Sequence, residues 1–142
     1  MTIRPATLAD VPRLLHLAML EHARSQFKGE KFEAAVAQSH LEHAIAGMLS
    51  RVLVSDAGLG YIAGILQPRM FNRAWVAYEL AWYAEDGSGM ALLNAFCDWA
   101  RKMRAVSVVV SNYAGINEPA KFTRVMKRGG FDLLGSSYCK SL

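Results

Sequence analysis

The stretch from Tyr78 to Arg104, YELAWYAEDGSGMALLNAFCDWARKMR, reads as a strand, a tight glycine turn and a helix, and the rest of the chain is arranged to support that junction. Period-two alternation places Ala77, Glu79, Ala81 and Tyr83 on one face of the strand and Tyr78, Leu80 and Trp82 on the other. Both faces are mainly apolar, as in a central strand covered on both sides, which leaves Glu79 as the anomaly. The helix sends Met90, Leu93, Phe96, Cys97, Ala100 and Met103 inward and Asn94, Asp98, Arg101 and Lys102 outward. At the turn, Gly87-Ser88-Gly89 leaves backbone N–H groups without partners inside the helix and sets the positive end of the helix dipole behind them. Such a start binds anions, phosphates above all, although short glycine turns also join strands to helices for steric reasons alone.

Ala105 to Val110 is a strand of the buried kind, reached from the Glu79 strand through that helix, so the two are predicted to be parallel neighbours. Parallel strands splay where ligands enter. Upstream, Thr2 to Ala6 is extended, and Thr7-x-x-Asp10 with Pro12 opens a helix that fades near Gln26. A second helix carries Phe32, Val36, Ala44, Ile45 and Met48 and runs to about Leu49. Arg51 to Asp56, Tyr61 to Leu66 and Ala74 to Ala84 form an antiparallel meander, turning at Gly58-Leu59-Gly60 and after Pro68. Beyond a loop from Tyr113 to Asn117, Glu118-Pro119 starts a helix that Gly129-Gly130 ends, and Phe131 to Leu142 is predicted to close as strand with a bend at Gly135.

A chain of 142 residues suits one domain with one core. Its 53% hydrophobic and 20% charged residues exclude a disordered protein, no apolar run approaches a membrane span, and the start lacks the order of a secretory signal, so a soluble, cytoplasmic protein is expected. Cys97 and Cys139 have no metal-like spacing, which fits a reducing compartment. His40 and His43 stand three apart, with His16 and His22 in the preceding helix, yet no third ligand accompanies them and no metal is expected. The net charge of +4 is spread over Arg101, Lys102 and Arg104 and over Lys121, Arg124, Lys127 and Arg128, with no aromatic platform beside it. Nucleic acid is therefore not the expected partner.

With that order of elements, IRPATLADVPRL at the start, ELAWYA, GSG and LLNAFCDWAR in the middle, and N-x-x-A followed by RGGFDLLGSSYCKSL at the end resemble the GNAT superfamily of N-acetyltransferases. The nearest flavour is the small acetyltransferase-like proteins common in bacteriophages and prophages. The resemblance runs nearly the whole chain and implies a single α/β (α+β) domain over residues 1–142. Its fold would be a central mixed sheet of six to seven strands, with an antiparallel meander and a splayed parallel pair, and about four helices on both faces. It implies acetyl-CoA as co-substrate and transfer of an acetyl group to a primary amine on a small molecule or peptide. Gly87, Ser88, Gly89 and Met90 would hold the pyrophosphate, Trp82 and Tyr83 the pantetheine by their main chain, and Asn117 the cofactor arm. Glu79 aligns with a position that in many members serves as a base, often through water. The acceptor would pass Phe27 to Phe32 and Gln67 to Arg73, and the C-terminal strands are where two copies could pair as a homodimer.

Several residues depart from the family pattern. Ala84 stands where an arginine or glutamine is usual, the loop is shortened, and Glu85 and Asp86 would repel a pyrophosphate unless they turn away. Met126 replaces a frequent tyrosine acid, for which Tyr113 or Tyr138 would have to substitute. These departures raise an alternative, a catalytically inactive GNAT-fold binding module such as a virion-associated one. Glu79 likewise has two readings: a base whose pKa burial raises, or the partner of an arginine such as Arg69 or Arg73.

Overall fold

A mixed sheet of five strands, laid side by side in chain order, organises the computed structural model, which describes residues 2–112 and 114–142. β1 (Ile3–Pro5), β2 (Ser50–Ser55), β3 (Gly60–Pro68) and β4 (Trp75–Ala84) are antiparallel to one another in turn, and β5 (Ser107–Val109) is parallel to β4. Helices α1 (Val11–Arg24) and α2 (Ala34–Ala46) cover one face of the sheet, whereas α3 (Gly89–Lys102) and α4 (Pro119–Arg128) cover the other. The first face buries Leu14, Leu17 and Leu41 against Val52, Val54 and Tyr61; the second buries Leu92, Leu93 and Phe96 against Leu53, Ile62 and Ala77. Such double coverage explains why the central strands are apolar on both sides.

Local chemistry sets the helix starts. Ahead of α1 the Asp10 carboxylate accepts the Thr7 amide at 2.7 Å, and the Arg4 guanidinium beside it holds its pKa far below the usual carboxylate range. Pro12 falls in the first turn, where its missing N–H costs nothing. Before α4 the Glu118 carboxylate accepts the amides of Ala120 and Lys121 at 3.0 and 2.8 Å.

The structure corrects the sequence reading in three places. In β4, Ala63 faces Ala81 but Gly64 faces Glu79, so Leu80 is an extra residue, a β-bulge. The bulge reverses the alternation: Ala77 packs with the α3 layer, while Ala81 and Tyr83 pack with the α1–α2 layer, instead of all sharing one face. Opposite the bulge only glycine fits, because a Cβ on Gly64 would lie 2.3 Å from the Phe96 ring and 2.5 Å from the Tyr78 carbonyl oxygen. The buried arc of α3 is likewise turned, taking in Leu92 and Trp99 and leaving Met103 exposed.

The third correction concerns the end of the chain. Phe131 to Leu142 adds no strand, so the sheet has five and not six to seven. The Phe131 amide still bonds the Met126 carbonyl at 2.9 Å, but past it the chain runs exposed, with Leu133 at 87% and Tyr138 at 95% accessibility.

Candidate active site

β4 and β5 pair only from Val76 with Ser107 to Tyr78 with Val109, and then part. The bulge lies immediately past that point: Glu79 is the first β4 residue beyond the pairing with β5 and still pairs with Gly64, while Leu80 leaves the regular ladder. A small cavity of about 30 Å³ opens there, with Glu79, Trp82, Ser111, Asn117 and Glu21 among its walls. It has room for a water molecule or an amine head group and little more. A wider groove of about 170 Å³ adjoins it, and Glu21, Leu80 and Ala114 belong to the walls of both.

Glu79 is half-buried, and its carboxylate accepts the Ser111 amide at 3.2 Å. Burial is the main cause that pushes its pKa up to about 7, with the nearby Glu21 charge adding to the rise and the Ser111 bond opposing it. Among the described residues no arginine or lysine forms an ion pair with Glu79; Arg69 reaches the Ser107 hydroxyl instead.

Sequence reasoning missed Glu21. Its carboxylate accepts the Tyr61 hydroxyl at 2.5 Å, and burial raises its pKa against the opposing bonds from Tyr61 and the Trp82 main-chain amide. A signal was present: α1 buries Leu14 and Leu17, and Glu21 falls one turn further along that same stripe, where an apolar residue is expected. Asn112 was missed too. Its side chain donates to the Asn117 carbonyl at 2.9 Å and accepts the Asn117 amide at 3.3 Å, closing the loop that brings Asn117 to the cavity.

At the turn into α3, Gly87 has φ +77°, a conformation natural to glycine. The first amide taken up inside the helix is that of Leu92, bonded to the Ser88 carbonyl at 2.9 Å, and the amides of Gly89, Met90 and Ala91 have no partner among the described residues. The Ser88 amide is different, since it donates to Asp86 Oδ1 at 3.0 Å. Trp82 ties the turn to the cavity, its indole N–H donating to the Gly89 carbonyl at 3.0 Å. Hence Trp82, Asn117 and Glu79 share one cavity, with the α3 start attached through Trp82. Tyr83 turns the other way: its side chain is buried in the α1–α2 layer and its hydroxyl donates to Glu85 at 2.8 Å.

The two acids of the shortened loop are both engaged. Asp86 accepts the Ser55 hydroxyl at 2.7 Å as well as the Ser88 amide; burial pushes its pKa up, but the bonds from Ser88 and Ser55 outweigh it and the net shift is downward. Glu85 accepts Tyr83 and pairs with Arg24 at 3.3 Å. Of the candidate acids, Met126 is buried in the α3 core, Tyr138 stands exposed in the terminal segment, and Tyr113 lies outside the described residues. Among the described residues there is no group of three or more metal-ligating side chains, and no helix is long and apolar enough to cross a membrane.

No family model matches the sequence, and no curated protein does either. Solved structures align along nearly the full length. A probable acetyltransferase is 21% identical over 100% of this chain and 98% of its own, with a TM-score of 0.75. A mutant of the BH1408 protein from Bacillus halodurans is 17% identical over 100% and 99%, with a TM-score of 0.78. The ribosomal-protein-alanine N-acetyltransferase from Brucella melitensis biovar Abortus 2308 is 14% identical over 100% of both chains, with a TM-score of 0.70. At these identities the likeness speaks for architecture, and the chain has a GNAT-like α/β fold: one mixed five-stranded sheet with four helices.

Proposed function

We propose that the protein is an acetyl-CoA-dependent N-acetyltransferase acting on a primary amine. The observation that carries this reading is Glu79, a half-buried carboxyl in a cavity where β4 and β5 part, with its pKa pushed up to about 7. The fold it shares with structures named acetyltransferases supports the same reading. The free amides of Gly89 and Met90, with Gly87 and Ser88 shaping the turn, would take the pyrophosphate. The β4 main chain at Trp82 and Tyr83, past the end of its pairing with β5, would run beside the pantetheine, and Asn117 would contact the arm from the opposite wall.

Glu79 takes a proton from the ammonium, directly or through one water, and a pKa near neutrality suits it to do so. The freed amine then attacks the acetyl carbon as the carbon–sulfur bond breaks. The proton that the nitrogen sheds as the amide forms goes to the departing sulfur, so Met126 need not be replaced by another acid. Calorimetry with acetyl-CoA and with CoA tests this: micromolar binding is expected, and no heat at millimolar ligand would sink the reading. Gly89→Glu supplies the control. It places a bulky anion among the amides while favouring the helix start, so loss of binding cannot be laid to unfolding.

We also propose that two copies pair through the terminal segment. Among the described residues each chain carries a sheet edge at β5 with no partner strand and an exposed stretch, residues 131–142, that joins no sheet. Laying one on the other's β5 edge would satisfy both. Sedimentation should show a dimer that becomes a monomer when the chain is cut after Gly130; a monomer at high concentration would refute it.

A further inference from the structure

We propose that Glu21 selects the acceptor: the groove behind Leu80 takes a compact aliphatic amine whose positive charge meets the Glu21 carboxylate, and it turns away amines that carry a carboxylate or phosphate of their own. This rests on the acetyltransferase reading and goes further, since that reading leaves the acceptor's chemistry open.

The groove is short and largely apolar, with Ala18, Phe27, Leu80 and Ala81 in its walls, which suits a hydrocarbon body of a few carbons. Beside it a main-chain bond, the Gln26 amide donating to the Ala114 carbonyl at 2.8 Å, ties the end of the α1 segment to the loop that supplies Ala114 to its wall. Its fixed charge comes from Glu21, at the partition with the smaller cavity that holds Glu79. Neither cavity has a lysine or arginine in its walls among the described residues, and none of the ion pairs among them involves Glu21 or Glu79. Arg24, on the same helix as Glu21, is committed to Glu85 and lies over the Tyr83 ring.

A carboxylate this far from water calls for a cation or for hydrogen bonds. Tyr61, itself buried, supplies one strong donor and fixes the Glu21 head group in place. The Trp82 main-chain amide supplies a second donor, and Glu21 stands in the wall of a groove without a lysine or arginine among its described residues, where an ammonium would lower the Glu21 pKa that burial now raises. His22 adds a second polar feature, for it lines the groove and its Nε2 is buried without a hydrogen-bond partner among the described residues. An ammonium entering by the groove thus meets Glu21 first and, in the adjoining cavity, Glu79.

The test compares n-butylamine with 4-aminobutanoate, which differ at the far end by a methyl against a carboxylate, in a CoA-release assay with acetyl-CoA. The wild-type protein should favour butylamine in kcat/KM by roughly tenfold or more, as a like charge near a fixed carboxylate is strongly disfavoured. Glu21→Gln, which keeps the shape, should raise KM for butylamine roughly tenfold, leave kcat within about threefold, and narrow the gap between the two amines. Equal use of both amines by the wild type, or an unchanged KM in the variant, overturns the proposal. The wild-type comparison stands even if the variant does not fold. A second arm needs no acetyl-CoA: butylamine, but not 4-aminobutanoate, should shift the amide resonances of His22 and Ala81 in the wild type and not in Glu21→Gln. Failure of acetyl-CoA to bind strikes the acetyltransferase reading, whereas failure of this arm strikes the acceptor proposal.

Discussion

Two pairs of acids lie close together on this molecule and are treated in opposite ways. Glu85 and Asp86, at the turn into α3, have all the partners they need: Arg24 and Tyr83 for one, Ser55 and the Ser88 amide for the other. Glu21 and Glu79, at the parting of β4 and β5, have hydrogen bonds and no cation among the described residues. The first pair is engaged on every side, and the bonds from Ser88 and Ser55 hold the Asp86 pKa down. In the second pair burial raises both pKa values, that of Glu79 to about 7. On the acetyltransferase reading proposed above, two half-buried acids without a countercharge among the described residues suit a ligand that arrives with a charge and a proton.

The largest effect that could break this comparison is on catalysis. Glu79→Gln should lower kcat/KM by roughly a hundredfold or more, in the range of a lost general base, while calorimetry still finds acetyl-CoA bound. In the wild type kcat/KM should fall as pH drops through about 7, where Glu79 gains its proton, and the variant should lose that limb. A variant that keeps full activity assigns Glu79 a structural role. Stability gives a second reading of the same group. Because its folded pKa lies above the unfolded value near 4.5, the native state holds a proton that the unfolded chain releases, so the wild type loses stability as pH rises from about 4.5 to about 7. The loss above that window is on the order of 3 kcal/mol. Glu79→Gln should therefore melt a few degrees higher than the wild type at pH 8 and no higher at pH 4.5.

Most of the framework is legible in the sequence because local signals and long-range packing agree. The Thr7–Asp10 box, Pro12, Glu118-Pro119 and the glycine turn at Gly87 fix helix starts by chemistry confined to a few residues, and all lie where expected. The meander and the parallel pair follow from apolar runs and turn residues. What was not legible depends on residues far apart in the chain. The bulge at Leu80 exists because Gly64, sixteen positions earlier, lets the Phe96 ring approach; no pattern within β4 announces it. Glu21 was readable as an acid on an apolar stripe, but its role needs Tyr61 and the far side of the sheet. Phe131 to Leu142 has strand composition and no strand partner in its own chain, and composition cannot say where a partner comes from.

The engaged pair at the α3 turn predicts smaller effects. Asp86→Ala would strand the fully buried Ser55 hydroxyl and free the Ser88 amide, at a cost of about 2 kcal/mol in thermal or denaturant unfolding. The folded pKa of Asp86 is lowered, so this contribution is present above the unfolded value near 3.8 and fades as pH falls through the folded one; wild type and variant should converge in acid.

Arg24→Ala probes the other partner. The ion pair with Glu85 is partly exposed, so its loss should cost little stability, about 0.5 kcal/mol or less. Its effect belongs to binding: Glu85 would keep only the Tyr83 hydroxyl, and its uncompensated charge would stand near the free amides of α3. The dissociation constant for acetyl-CoA should rise about two- to threefold at low salt and return towards the wild-type value as salt screens the repulsion. A rise independent of salt would mean that Arg24 touches the ligand itself, and the separation between an acid pair kept for structure and an acid pair kept for chemistry would no longer hold at this turn.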